Sequence, residues 1–408
     1  MTRSGTEQIL VTESSEMPAQ LRVGRLLAFS VAGFLAILTE NMPAGLLPQI
    51  GAGLGVSEAM AGQTVTLYAL GSVAAAIPII AATRSWNRRP LFLAAIAALL
   101  IFNSLTAISA DYGLTLAARF VAGMGAGVVW GLVAGYARRL APPTLQGRAM
   151  AIVGIGQPLA LSLGVPLGAW LGGLQDWRLV FWVLSAIALL LLGWIRIAVP
   201  DHPGQTQQEQ LPLPQELTIE GVGSVYLVLF AWILAHNILY TYIAPFLDAA
   251  DLGMGVDLAL LVFGVSSVLG IWVTGTLVDR HLRAMALASL AAFGLAVVIL
   301  ALAHGITGAA IVGIALWGFT FGGAPTLLQT ELADAAGEHA DVAQSILVTV
   351  FNLAVAGGGL VGGLWVDVFG AASLPWMLLP VIFFGWATTR TSSTFGRSGR
   401  ASRPALGS

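Results

Sequence analysis

The sequence predicts an all-α polytopic membrane protein with twelve transmembrane helices in two pseudo-symmetric six-helix bundles. Three observations carry that expectation: a nearly charge-free composition, twelve apolar runs of spanning length, and landmarks of the first six runs that recur in the last six. Of 408 residues 57% are hydrophobic and only 9% charged, with 49 glycines besides. A soluble domain carries ~25% charged residues, so this chain has too little charge to cover a core of its own. A soluble enzyme, a disordered chain and a nucleic-acid binder are excluded on that ground. All 18 basic residues are arginine and cysteine is absent, which removes disulfides and thiolate metal sites. No metal and no cofactor is expected.

Residues 1–24 are polar, with Glu7, Glu13 and Glu16, and read as a cytoplasmic N-terminal tail without the basic-then-apolar order of a signal peptide. A helix needs ~20 apolar residues to cross ~30 Å of hydrocarbon. Six runs meet that test within an N-terminal bundle at 25–198, over 26–50, 58–82, 90–109, 113–137, 147–173 and 179–198. Residues 199–221, with Pro200, Pro203, Pro212 and Pro214 among Gln and Glu, read as a cytoplasmic linker. Six more runs fill a C-terminal bundle at 222–390, over 222–246, 257–278, 284–303, 307–330, 341–366 and 371–389. A Ser-, Gly- and Arg-rich tail at 391–408 reads as disordered and cytoplasmic. Long apolar runs with glycine and alanine faces fit helices packed in lipid, not the short alternating strands of a barrel.

Arginine placement sets the expected orientation. With both termini in the cytoplasm of a cell with this chain in its inner (plasma) membrane, 16 of the 18 arginines fall inside, leaving Arg119 and Arg178. The outer loops then carry Glu58, Asp111, Asp176, Asp248, Asp251, Asp257 and Asp367. One inner loop, 331–341, breaks the pattern with Glu331, Asp334, Glu338 and Asp341. That cluster reads as a solvated loop or helix cap.

A shift of 195 residues superposes Gly164, Gly168 and Trp170 on Gly359, Gly363 and Trp365, and Gly123 and Gly127 on Gly318 and Gly322. Gln157 falls on Asn352 and Arg88 on Arg283; Glu40-Asn41 lies within one residue of His236-Asn237. Two copies of a six-helix unit can rock about a shared cavity and expose it to each side in turn.

The order of several motifs resembles the major facilitator superfamily, in its twelve-helix drug:proton antiporter-1 branch with arabinose and sugar efflux-like members. The resemblance covers about residues 25–390. It rests on Glu40-Asn-Met-Pro43-Ala-Gly45-Leu-Leu-Pro48 at the exit of the first span, and on Arg119-Phe-Val-Ala-Gly123-Met-Gly-Ala-Gly127 in the fourth. It rests also on Gly164-Val-Pro166-Leu-Gly168-Ala-Trp170 in the fifth, Trp177-Arg178 with Phe181 entering the sixth, and Trp317-Gly-Phe-Thr-Phe321-Gly322-Gly-Ala-Pro325 in the tenth. The family's inner-loop motif between spans two and three departs here: Arg88-Arg89-Pro90 are present, but Ile80 and Arg84 occupy its glycine and aspartate positions. The second-half copy is kept as Gly275-Thr-Leu-Val-Asp279-Arg280-His-Leu-Arg283, so the resemblance implies a latch between halves at Asp279, Arg280 and Arg283. It implies that Gly123, Gly127, Gly164, Pro166 and Gly168 are conformational, the fifth-span set packing against the eighth span and sealing the halves. It implies, too, a secondary-active exporter of a small molecule (drug, sugar or metabolite), driven by proton entry and acting as a monomer in lipid.

Individual residues then acquire candidate roles. A carboxylate within a spanning helix costs ~2.5–3.5 kcal/mol on insertion scales, which makes Glu40 a candidate for proton coupling. The alternative is a structural carboxylate satisfied by Asn41 or by backbone opened at Pro43. Arg119 lies at a matching depth and is its candidate partner, either as a pair released during transport or as a static ion pair. His236 and Tyr240 share one helix face at i, i+4. With Asn41, Asn237, Trp130, Trp317, Phe321 and Gln329 they are candidates for an apolar, sparsely polar substrate pocket, or for plain packing. Proton-coupled uptake by a symporter is the alternative within the class. An intramembrane enzyme lacks support, since no H-E-x-x-H or G-x-S-x-G occurs, and a channel needs no duplicated halves.

Overall fold

The computed structural model describes residues 21–76, 78–83, 85–142, 145–203, 222–336 and 340–392. The N-terminal tail to residue 20, Arg84, most of the linker (204–221), Glu338 and the C-terminal tail from 393 lie outside the described residues, as do the side chains of Ile80, Asp279 and Asp341. Among the described residues every regular element is helical. In the first half these are α1 (Val23–Asn41), α2 (Leu47–Leu54), α3 (Glu58–Ala76), α4 (Pro78–Ala82), α5 (Arg88–Ile108), α6 (Tyr112–Arg139), α7 (Gln146–Gly154), α8 (Gly156–Leu159), α9 (Val165–Leu174) and α10 (Trp177–Ala198). In the second they are α11 (Gly223–Thr241), α12 (Ile243–Ala249), α13 (Val256–Leu302), α14 (Thr307–Ala336), α15 (Ala340–Phe369) and α16 (Leu374–Thr391).

Eleven helices among the described residues are long and apolar enough to cross a membrane, where twelve spans are expected. The second span is described as α3 and α4, to either side of residue 77, which lies outside the described residues. Its sequence is more polar, and that polarity is turned into protein: Thr64, Thr66, Tyr68 and Ser72 are buried. Lipid forces helices to satisfy their own backbone, so α3 remains helical and packs between α6 and α15.

Several expected spans are broken where proline requires it. The first span stops at Asn41, passes through one 3-10 turn at Met42–Gly45, and resumes as α2 with Pro48 in its first turn. Pro43 has no N–H to continue α1. The fifth span is divided by Pro158, whose ring opposes the carbonyl of Gly154 where α7 ends, and by a π turn at Ala160–Gly164 just before Pro166. Spans eight and nine, expected as separate helices, run together in α13 with one non-helical residue, His281.

The duplication is visible in the packing. A Cβ on Gly123 or Gly127 of α6 would collide with the backbone of Tyr68 or Ser72 in α3. A Cβ on Gly318 or Gly322 of α14 would collide with Phe263 or Ser267 in α13. The partners as well as the glycines are 195 residues apart, so both halves use one crossing. The fifth-span motif corrects an expectation: Gly164, Gly168 and Gly172 face Leu38, Met42 and Leu46 of the first span, not the eighth. Spans five and eight still meet, α9 and the π turn both packing on α13, with Gly264 of α13 against the backbone of Leu161 and Ser162. The reason lies in the π turn, which shifts the register of the glycine face around the helix.

The halves are joined at the end that carries Pro48. There Tyr242, between α11 and α12, donates its hydroxyl to the Gly359 carbonyl of α15 at 2.6 Å and approaches the Ala59 carbonyl of α3 at 3.4 Å. Gln63 of α3 donates to the same Gly359 carbonyl at 3.2 Å. At the opposite end, which carries Arg88, a Cβ on Gly154 of span five or Gly275 of span eight would meet no described atom within 4 Å. At that end Arg89 N–H donates to Asp201 and the Tyr136 hydroxyl to the Pro200 carbonyl in the first half, and Arg283 to the Arg390 carbonyl in the second.

Gly123→Val forces α6 off α3 and is expected to lower the unfolding midpoint by several degrees, an overpacking cost of about 1–3 kcal/mol. Gly135→Ala, on the same helix with open space around it, leaves the midpoint unchanged. Thermal unfolding of the two purified variants checks both.

Candidate functional site

Glu40 occupies the last turn of α1, just before the proline break, and is 6% exposed. Arg119 of α6 is fully buried beside it. Its Nη2 donates to the main-chain carbonyl of Glu40 at 3.3 Å and its Nε to the Thr64 carbonyl of α3 at 3.2 Å. The guanidinium carbon lies 4.7 Å from the Tyr68 ring centre and 5.7 Å from that of Phe181. Tyr68 is itself fixed by donating to the Ala36 carbonyl at 2.9 Å. The matched depths therefore do bring Glu40 and Arg119 together, but not as a closed ion pair: among the described residues no ion pair within 4.0 Å forms between them, and Arg119 Nη1 has no partner. The cation is seated on carbonyls and ring faces, and acts on the carboxylate through space.

The second half presents an aromatic cluster at the corresponding depth. His236 of α11 stacks on Phe321 of α14 with ring centres 3.4 Å apart and planes 10° from parallel. Trp317 donates its Nε1–H to His236 Nδ1 at 3.2 Å, so the imidazole carries its proton on Nε2. Tyr240 lies 5.3 Å from His236, and its buried hydroxyl has no hydrogen-bond partner. Phe263 of α13 completes the group, 4.4 Å from Trp317 and 5.5 Å from His236. Four expected pocket residues are thus brought into one cluster. Phe263 was not expected; the signal for it is that it stands 195 residues after Tyr68.

The remaining candidates are dispersed. Asn41 turns back on α1, donating to the Ile37 carbonyl at 3.0 Å. Asn237 accepts from Thr241 at 3.3 Å and packs against Gly358. Trp130 is half-buried against Gly33 of α1. Gln329 is exposed, two turns past Phe321 and outside the cluster. In the expected latch, Arg280 is exposed, Arg283 binds the Arg390 carbonyl, and Gly275 has open surroundings. Among the described residues no group of three His, Cys, Asp or Glu could hold a metal ion.

A family model described as Major Facilitator Superfamily matches residues 29–359. The purine ribonucleoside efflux pump NepI of Escherichia coli O1:K1 / APEC is 31% identical over 356 residues, 86% of this chain and 89% of the pump. The transcription regulatory protein OpdE of Pseudomonas aeruginosa is 30% identical over 391 residues, 91% of this chain and 95% of its own. Among solved structures, a bacterial homologue of the human lysosomal transporter Spinster, inward-facing and unoccupied, matches with a TM-score of 0.67 at 16% identity, over 90% of this chain and 96% of the other. The human organic anion transporter MFSD10 (TETRAN) matches with a TM-score of 0.66 at 17% identity, over 91% and 100%.

Trp317→Phe keeps the ring and removes the N–H that satisfies His236. Leaving that buried nitrogen unpaired costs about 1–3 kcal/mol, so the unfolding midpoint in detergent falls by several degrees. An unchanged midpoint would show that the hydrogen bond contributes nothing.

Proposed function

Because the chain belongs to the Major Facilitator Superfamily and is a multi-pass membrane transporter with efflux pumps among its relatives, we propose that it is a proton-driven exporter of a planar, nucleoside-like solute. Glu40 exchanges a proton for cargo, Arg119 holds the negative form electrostatically, and the His236 cluster forms the aromatic wall against which the solute stacks. The observation that carries this reading is the seating of Arg119. Its bonds go to the Glu40 and Thr64 carbonyls, so the carboxylate has a nearby positive charge without being consumed by it. A carboxylate in that position can be protonated without breaking a structural bond.

Stacked rings with few polar contacts suit a flat heteroaromatic solute, in line with the purine ribonucleoside named for the Escherichia coli relative. Arginine counting puts the Arg88 end in the cytoplasm. The contacts that join the halves at the Pro48 end then favour reading this arrangement as an inward-facing state. Asp279, Arg280 and Arg283 supply the opposite latch when the Arg88 end closes.

One elementary charge crossing ~100 mV releases ~2.3 kcal/mol, enough for a gradient of roughly fiftyfold. In everted vesicles carrying this chain, inosine accumulates when the lumen is acidic, and a protonophore abolishes the accumulation. Glu40→Gln loses the dependence on the pH gradient while still exchanging labelled for unlabelled solute. Gradient-driven accumulation that is unchanged in the variant removes Glu40 from the mechanism.

A further inference from the structure

A cavity of about 370 Å³ opens at the Pro48 end, and both halves wall it. Gln49 and Trp170 line it from the first half; Leu247, Asp248, Met254 and Asp257 line it from the second. That volume is within the range of small-ligand sites. The lining residues are mainly apolar. The ionisable ones are both acidic, and no arginine is among them. Glu58, at the start of α3, adds a negative charge close enough to act on Asp248. Arg178, the arginine of this end that is not buried in the core, is occupied by Asp176 at 3.6 Å and by the Ser109 carbonyl at 3.1 Å. Asp257 lies in the first turn of α13, where the helix N-terminus offsets part of its charge. Asp248, exposed at the end of α12, is therefore the principal anion. Gln49 Oε1 is buried without a hydrogen-bond partner.

We propose that this cavity binds an amphipathic organic monocation, an ammonium bearing an aromatic or branched apolar group, at a site separate from Glu40 and the His236 cluster. The apolar group lies against Leu247 and Met254. The ammonium faces Asp248 and the Trp170 ring, which attracts cations through its face. The occupant touches both halves in the arrangement joined at the Pro48 end, so it stabilises that arrangement by its preference for it. Such a compound, arriving from the Pro48 side, slows the cycle without competing for the central site. The inference goes beyond the transport reading and is tested on the resting protein.

The test is equilibrium binding of radiolabelled benzyltrimethylammonium to the full chain in phosphatidylglycerol nanodiscs. Binding is expected to weaken about fivefold in Asp248→Asn and to recover in Asp248→Glu. The uncharged isostere neopentylbenzene should fail to displace the label, and replacing half of the lipid with phosphatidylcholine should leave the affinity unchanged. Equal affinity in Asp248→Asn overturns the proposal. Weakening in Glu40→Gln in place of Asp248→Asn overturns it too, by locating the cation centrally. Loss of binding in phosphatidylcholine overturns the choice of occupant, assigning the cavity to a lipid headgroup.

Discussion

The seating of Arg119 is the constraint around which the candidate site is organised. A guanidinium with no exposed surface is tolerated in a spanning bundle only when backbone carbonyls, rings or a counter-ion replace its hydration. Here α1 offers a carbonyl because Pro43 ends the helix one turn after Glu40, and α3 offers the carbonyl of Thr64. Tyr68 and Phe181 cover the guanidinium from their ring faces. Three spans are therefore held to one side chain. The carboxylate of Glu40 is left under the influence of a fixed charge without being bound to it, which is the condition for a group that must change protonation while the fold stays intact.

The second half uses the same scaffold for different chemistry. Gly123 on Tyr68 and Gly318 on Phe263 are one helix crossing repeated, yet the surroundings have diverged. Trp317 and Phe321 stand where the first half has Ala122 and Ala126, and Tyr240 where it has Gly45. Ile314 takes the place of Arg119, and Glu40 is matched within one residue by His236. Small residues in one copy have become rings in the other, and the charged pair has become an imidazole stacked on Phe321. A duplicated framework in which one half carries charge and the other carries aromatic surface suits a cycle that couples a proton to a solute. The two halves meet where Gln63 of α3 donates to the Gly359 carbonyl of α15.

Much of this was legible in the sequence, because lipid reduces the possible folds to a count of apolar runs. The runs and the offset of 195 residues needed only composition and spacing. The depth of Glu40 and Arg119 followed from helical rise, and their approach is found. What stayed hidden depends on rotation about helix axes, which spacing does not fix when a helix is apolar all round. Gly164 and Gly168 were therefore expected against the eighth span, and past the π turn they face the first. Phe263 and Tyr242 gave no local signal, one being an aromatic residue in an apolar run and the other one of several tyrosines near a helix end.

The central claim is that solute binding displaces a proton from Glu40. It is tested most directly by adding inosine to the purified chain in weakly buffered solution containing a pH indicator. The wild-type chain should release about one proton per bound solute, and Glu40→Gln should bind solute and release none. Equal proton release from both would contradict the claim and assign the exchanged proton to another group.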